Sequence, residues 1–111
     1  MDNPVIRTPL LTAMLDSAQT VDHVEVVQIA LGVNQQAGLH LHPCPVVGVV
    51  ISGSILFQLE GQTAHLLHAG DAFFEPAHAR VSHFDAQDQG ATFIAQYLLG
   101  PGEHELITML Q

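Results

Sequence analysis

The chain contains no lysine and no tryptophan, and arginine occurs only at positions 7 and 80. Set against eleven acidic residues, this gives a formal charge of −9 at neutral pH. Such a surface repels phosphate backbones and anionic lipid, so neither nucleic acid nor a membrane surface is an expected partner. Without lysine, Schiff-base chemistry and an ammonium clamp for phosphorylated substrates are both excluded. The single cysteine, Cys44, cannot form an internal disulfide. No apolar run reaches the roughly 18 residues of a membrane span. The opening Met1-Asp2-Asn3-Pro4 has neither the basic nor the apolar region of a secretion signal, so cytoplasmic residence is expected.

What is present is apolar. Hydrophobic residues make up 48% of the 111 positions and charged residues only 12%, enough for one domain with a single core. So little charge over so apolar a chain implies that part of the outer surface is covered, most simply by a second copy, and a homodimer is expected. Residues 1–21 read as an N-terminal arm, extended or with a turn or two of helix, exchanged or packed in that dimer. Residues 22–111 read as the folded domain.

From Asp22 onward the pattern is β. His23–Leu31 is rich in β-branched residues and stops at Gly32; Val46–Ile51 follows after Asn34-Gln35-Gln36-Ala37-Gly38 and a histidine-bearing strand. Ser52-Gly53-Ser54 reads as a hairpin turn into Ile55–Glu60, Gly61-Gln62 as a turn into Thr63–Leu67, and Ala69-Gly70-Asp71 as a turn into Ala72-Phe73-Phe74. Arg80–Phe84 and Ala91–Leu99 read as two further strands. Short strands with regular turns and no convincing helix predict an all-β antiparallel sandwich or barrel.

Eight histidines stand in the chain, and the pair His40-Leu41-His42 is the feature most pointed toward chemistry. Alternate residues of a strand share a face, so residues 40 and 42 present two imidazoles side by side, the start of a site for a divalent transition metal. The segment His40–Gly53 is similar to the "HxHPGPxxGYVLEG" motif of small single-domain cupins. That group continues with "AGDAFFEP", which stands unchanged at Ala69–Pro76, and with a "YLLGPGE" tail matched by Tyr97–Glu103. The resemblance runs from about Val24 to Glu105. It implies a jelly-roll-type β-barrel holding one divalent ion, with Fe, Zn, Ni, Mn and Cu not distinguished, and a small-molecule ligand.

Four positions depart from the family's pattern. Val46 stands where the first motif has its ligating Glu, Val81 where the second has its His, His78 where a Gly precedes that His, and Asp85 where the second motif ends in Asn. His83 keeps the strand parity of Val81, so the expected metal face is His40, His42 and His83, with His78 as the alternative from the rim. A three-histidine face resembles that of the thiol dioxygenases among the cupins. Glu75 and Tyr97 are the candidates for acid–base or positioning roles, with Asp85 another acid near the cavity. Arg80, Phe57, Phe84 and Cys44 are the candidates for substrate contact. Three functions fit: a metal-dependent oxygenase acting on a small molecule, a non-catalytic metal- or ligand-binding sensor or storage cupin, and a degenerate cupin without metal.

Overall fold

The computed structural model describes residues 3–111. Seven strands follow in order: β1 (His23–Leu31), β2 (His40–Leu41), β3 (Val46–Leu59), β4 (His65–His68), β5 (Ala72–Glu75), β6 (Val81–Leu99) and β7 (Thr108–Met109). No helix is formed among the described residues, hence none long and apolar enough to cross a membrane. All pairings are antiparallel, and the all-β antiparallel architecture expected from the sequence is the one found.

Two long strands organise the barrel. The first part of β3 pairs β5 on one side and the C-terminal part of β6 on the other, and β6 there also pairs β1. The second part of β3 pairs β4 and the N-terminal part of β6, which continues through β2 to β7. Ser52-Gly53-Ser54 is therefore not the expected hairpin turn, and Arg80–Phe84 and Ala91–Leu99 are not separate strands. In each case one strand carries the chain across a bend. The reason lies where the two strands touch: Gly53 and Gly90 both have positive φ, and a Cβ on Gly53 would stand 2.0 Å from the Gly90 carbonyl oxygen. Glycines that sequence alone assigns to a turn here let two backbones cross at a barrel corner. Register shifts between Val50 and Ser52 and between Gly53 and Ile55 change the parity, so Val46, Gly48 and Val50 face inward before the bend and Ile55 and Phe57 after it.

The core combines these inward residues with a chain of edge-on rings, Phe57, Phe73, Phe84 and Phe93, whose neighbouring centroids lie 4.9–6.2 Å apart. Outside it, residues 3–20 run as an arm with no regular secondary structure. Val5, Ile6 and Met14 on that arm are 73%, 83% and 77% exposed.

Candidate metal centre

The cavity that matters opens between the two halves of the barrel. It holds about 250 Å³ and opens to solvent past Gln35, Gln36 and Ile107, walled by Ile29, Phe73, Phe84 and Phe93, with His40, His42, Glu75 and Tyr97 grouped on its polar side. Each polar residue owes its place to the sheet. Glu75 pairs with Val46 across the β5–β3 ladder, and Val46 pairs with Tyr97 across the β3–β6 ladder, so the three form one row over adjacent strands. Val46 occupies the position where a ligating Glu was expected, and its direct neighbour on β5 brings a carboxylate to the same floor.

His40 and His42 are oriented by the ends of the chain segments around them. Nδ1–H of His40 donates to the Gly38 carbonyl at 2.7 Å, and Nδ1–H of His42 donates to the Leu106 carbonyl at 2.6 Å. Both imidazoles, when neutral, therefore turn an Nε2 lone pair inward. Those two nitrogens face one carboxylate: Glu75 Oε2 lies 2.5 Å from His42 Nε2 and 3.9 Å from His40 Nε2. The three ligand atoms all lie within 4.8 Å of one another, and all three residues are buried. Glu75 Oε2 itself is fully buried and receives no properly aligned hydrogen bond despite the short approach of His42. Burial pulls the pKa of His42 down, but the Glu75 carboxylate and the Leu106 carbonyl outweigh it and the net shift is upward. With both imidazoles neutral, three lone-pair donors converge on one buried point, and a divalent cation fits that arrangement.

His83 is not brought into this group. Gln58 pairs with His83 but the next residue, Leu59, pairs with Val81, so β6 carries one extra residue at Ser82. This bulge reverses the alternation: Val81 and Phe84 face inward and His83 faces solvent, its Nδ1 2.7 Å from Asp85 Oδ2. The parity argument that placed His83 beside Val81 fails at that residue. Asp85 is consequently occupied by His83 and by the Phe84 amide. His78 lies exposed in the turn after β5, at positive φ, with its amide donating to the His42 carbonyl.

The remaining candidates divide. Tyr97 lines the cavity, its ring edge-on to His42 at 5.7 Å, and burial followed by the nearby Glu75 charge pushes its pKa up to about 12. Phe84 is part of the wall. Phe57 is in the core but does not line this cavity, bordering a different surface hollow. Cys44 is 1% exposed in the core and does not reach the cavity; burial, with a contribution from Glu103, raises its pKa to about 11, so it is an inert thiol. Arg80 lies outside the cavity with its Nε 3.0 Å from both carboxylate oxygens of Glu60, a surface ion pair and not an anchor for substrate. Glu75 is the residue whose place beside the two histidines sequence reasoning missed. Its signal was present, since Phe73 and Glu75 share a strand face and Phe73 belongs to the core.

A profile of the cupin domain matches residues 27–97, so the chain belongs to the cupin family. No curated protein matches it. Among solved structures it is similar to a DMSP lyase from Ruegeria pomeroyi, at 15% identity and a TM-score of 0.67 over 78% of this chain and 42% of that one. It is also similar to an oxalate oxidase (19%, TM-score 0.65, 78% and 46%). A cupin-like protein from Thermotoga maritima gives 23% identity and a TM-score of 0.66 over 78% of this chain and 64% of that one. The chain spans less than half the length of the lyase and the oxidase. At these identities the likeness shows the shared fold.

Proposed function

We propose that this cupin binds one divalent transition metal through His40, His42 and Glu75 and acts on a small molecule held in the adjoining apolar cavity. The observation that carries the reading is the buried, unbonded Glu75 Oε2 facing two imidazole nitrogens whose other nitrogens are already committed as donors. Three protein ligands beside a cavity leave coordination positions open, the pattern of a catalytic site more than of a closed structural one. Once bound, a divalent ion there supplies Lewis acidity and, if it is iron or copper, redox chemistry with oxygen, which is the oxygenase form of the reading. The chain's own contribution is to fix both imidazole tautomers, to place one carboxylate, and to keep water from the ion with the rings of Phe73, Phe84 and Phe93. Glu75 then acts as ligand and not as a free general base, and the Tyr97 phenol is left as the hydroxyl able to position a bound molecule.

The 2.5 Å contact between His42 and Glu75 favours one other reading, a metal-free cupin in which a protonated His42 neutralises the carboxylate. Metal content decides between them. Untagged protein from iron- and zinc-supplemented medium is expected to carry about one equivalent, lost in His42→Ala and Glu75→Gln. A wild-type protein that stays empty even after reconstitution overturns the metal reading. A homodimer belongs to the same proposal. It is supported by the exposed apolar arm and by Val24 and Val26, 48% and 62% exposed on β1. Light scattering on the full chain and on a chain shortened by residues 1–20 tests it.

A further inference from the structure

The walls of the cavity set limits on what can sit against the triad. Among the described residues no arginine or lysine lines it, Tyr97 carries the one hydroxyl on its surface, and Gln35 and Gln36 stand exposed at its edge. The Gln35 side chain is already engaged with the Gly32 amide. Of the two arginines in the chain, Arg80 is tied to Glu60 outside the cavity. Any charge brought in by a ligand must therefore be balanced by the metal centre itself. A divalent ion with two neutral imidazoles and one carboxylate carries a net charge of plus one. A single negative charge on the ligand brings the centre to neutrality. A second would lie against apolar walls with no cationic partner beside it, which is costly. At interior packing density a 250 Å³ cavity holds on the order of ten non-hydrogen atoms.

Resting on the metal reading above, we propose that the ligand of this cavity is a small molecule with an apolar body and one mono-anionic pair of chelating oxygens, which the Tyr97 hydroxyl helps to hold. Enolised diketones and hydroxy-ketones on a ring or a branched chain have this chemistry; sugar phosphates, dicarboxylates and free sugars do not. The oxygens face the triad and Tyr97, while the body packs on Phe73, Phe84, Phe93 and Ile29.

Tropolone, a mono-anionic chelator on an apolar ring, is a suitable probe, with oxalate as the dianionic chelator and tropolone methyl ether as the non-chelating ring. Protein loaded with one equivalent of zinc is titrated with each by calorimetry, with released zinc followed by a colorimetric indicator. Tropolone is expected to bind at least about tenfold tighter than oxalate, since it alone buries apolar surface and leaves no excess charge. The ether is expected to bind more weakly than tropolone. Tyr97→Phe should retain zinc and lose roughly two- to tenfold in tropolone affinity, the worth of one hydrogen bond.

Ile107→Lys adds the missing cation. Ile107 is half-exposed on the cavity edge, one residue beyond the Leu106 carbonyl that holds His42, so the fold tolerates the change. This variant should narrow or reverse the preference for tropolone over oxalate. Zinc-loaded wild-type protein that binds oxalate as tightly as tropolone overturns the proposal and leaves the metal reading standing. An unchanged preference in Ile107→Lys refutes the charge argument, and unchanged affinity in Tyr97→Phe refutes the role of the hydroxyl. Failure to hold zinc at all removes both the metal reading and the ligand class built on it.

Discussion

Two histidine–carboxylate pairs in this barrel have nearly the same separation and opposite meaning. His42 and Glu75 approach to 2.5 Å, His83 and Asp85 to 2.7 Å. In the second pair Nδ1 of His83 turns straight to the carboxylate, and the ring, 46% exposed, leaves its other nitrogen to solvent; one proton satisfies the contact. In the first pair the Nδ1 proton of His42 is already given to Leu106, so the neutral ring turns a lone pair toward a buried carboxylate. Proximity of an imidazole and an acid therefore says little by itself. What distinguishes a metal centre from a surface hydrogen bond is where the remaining proton has gone and whether water is at hand to supply another.

The largest test of that contrast is metal affinity. His40→Ala, His42→Ala and Glu75→Gln each remove a converging donor and are expected to weaken zinc binding by more than about 100-fold, beyond what outer partners of a ligand contribute. His83→Ala and Asp85→Asn, at the other pair, should change it less than about threefold, within the range of surface substitutions. Competition against a chromophoric chelator measures all five. A loss in His83→Ala comparable to that in Glu75→Gln would return His83 to the ligand set and refute the bulge-based placement.

That placement also marks where the sequence stops being informative. The two imidazoles, the turn before β5 and the apolar strands were legible because they rest on local rules: alternation, β-branching and turn residues. Glu75 was legible in principle, as the strand-mate of Phe73, although a valine at the expected ligand position drew attention away from it. A carboxylate absent from β3 stands on the neighbouring strand instead, a relation between Val46 and Glu75 that exists only in the ladder. The orientation of His83 was not legible, because a single extra residue at Ser82 reverses the face and no local residue type announces it. The bend at Gly53 is similar: Ser-Gly-Ser has turn chemistry, and only contact with Gly90, far along the chain, makes it a corner in a continuous strand. Arg80, too, reads as an anion anchor until Glu60 is found beside it.

Tyr97 sharpens the contrast from the cavity side. It is the only tyrosine, and there is no tryptophan, so phenolate absorbance near 295 nm reports on it alone. Burial first, then the Glu75 charge and Cys44, raise its pKa from 10.0 to about 12. A raised acid keeps its proton in the folded state while the unfolded chain has already lost it. Its contribution to stability is thus intact below pH 10 and disappears between 10 and about 12, on the order of 2–3 kcal/mol. Glu75→Gln should bring the titration partway down, since burial remains, and Asp85→Asn should leave it in place. A wild-type midpoint near 10 would mean that Tyr97 is open to water and not buried on the cavity wall.

The smallest expected effect bears most directly on the missing proton. In metal-free protein, held so by a chelator, His42 has a raised pKa because Glu75 and Leu106 prevail over burial. A histidine of this kind adds stability that is complete below its unfolded value of 6.5 and is lost as pH climbs through the higher native value. At about pH 5.5 the protonated ring and the carboxylate form an ion pair, and Glu75→Gln, which breaks it, should lower Tm. Above the native pKa of His42, where the ring is neutral, ring and carboxylate present lone pairs to each other, whereas a glutamine amide can donate to Nε2, so the same substitution should raise stability by roughly 1 kcal/mol. Asp85→Asn has no such reversal: His83 already donates to that carboxylate, which also accepts from the Phe84 amide, and the substitution should cost about 1 kcal/mol on both sides of 6.5. Thermal melts of the two variants at pH values below and above the native pKa of His42 separate the pairs by the sign of the change. A Glu75→Gln effect that keeps one sign at both would show that the proton at His42 is not what is missing, and the case for a cation in its place would go with it.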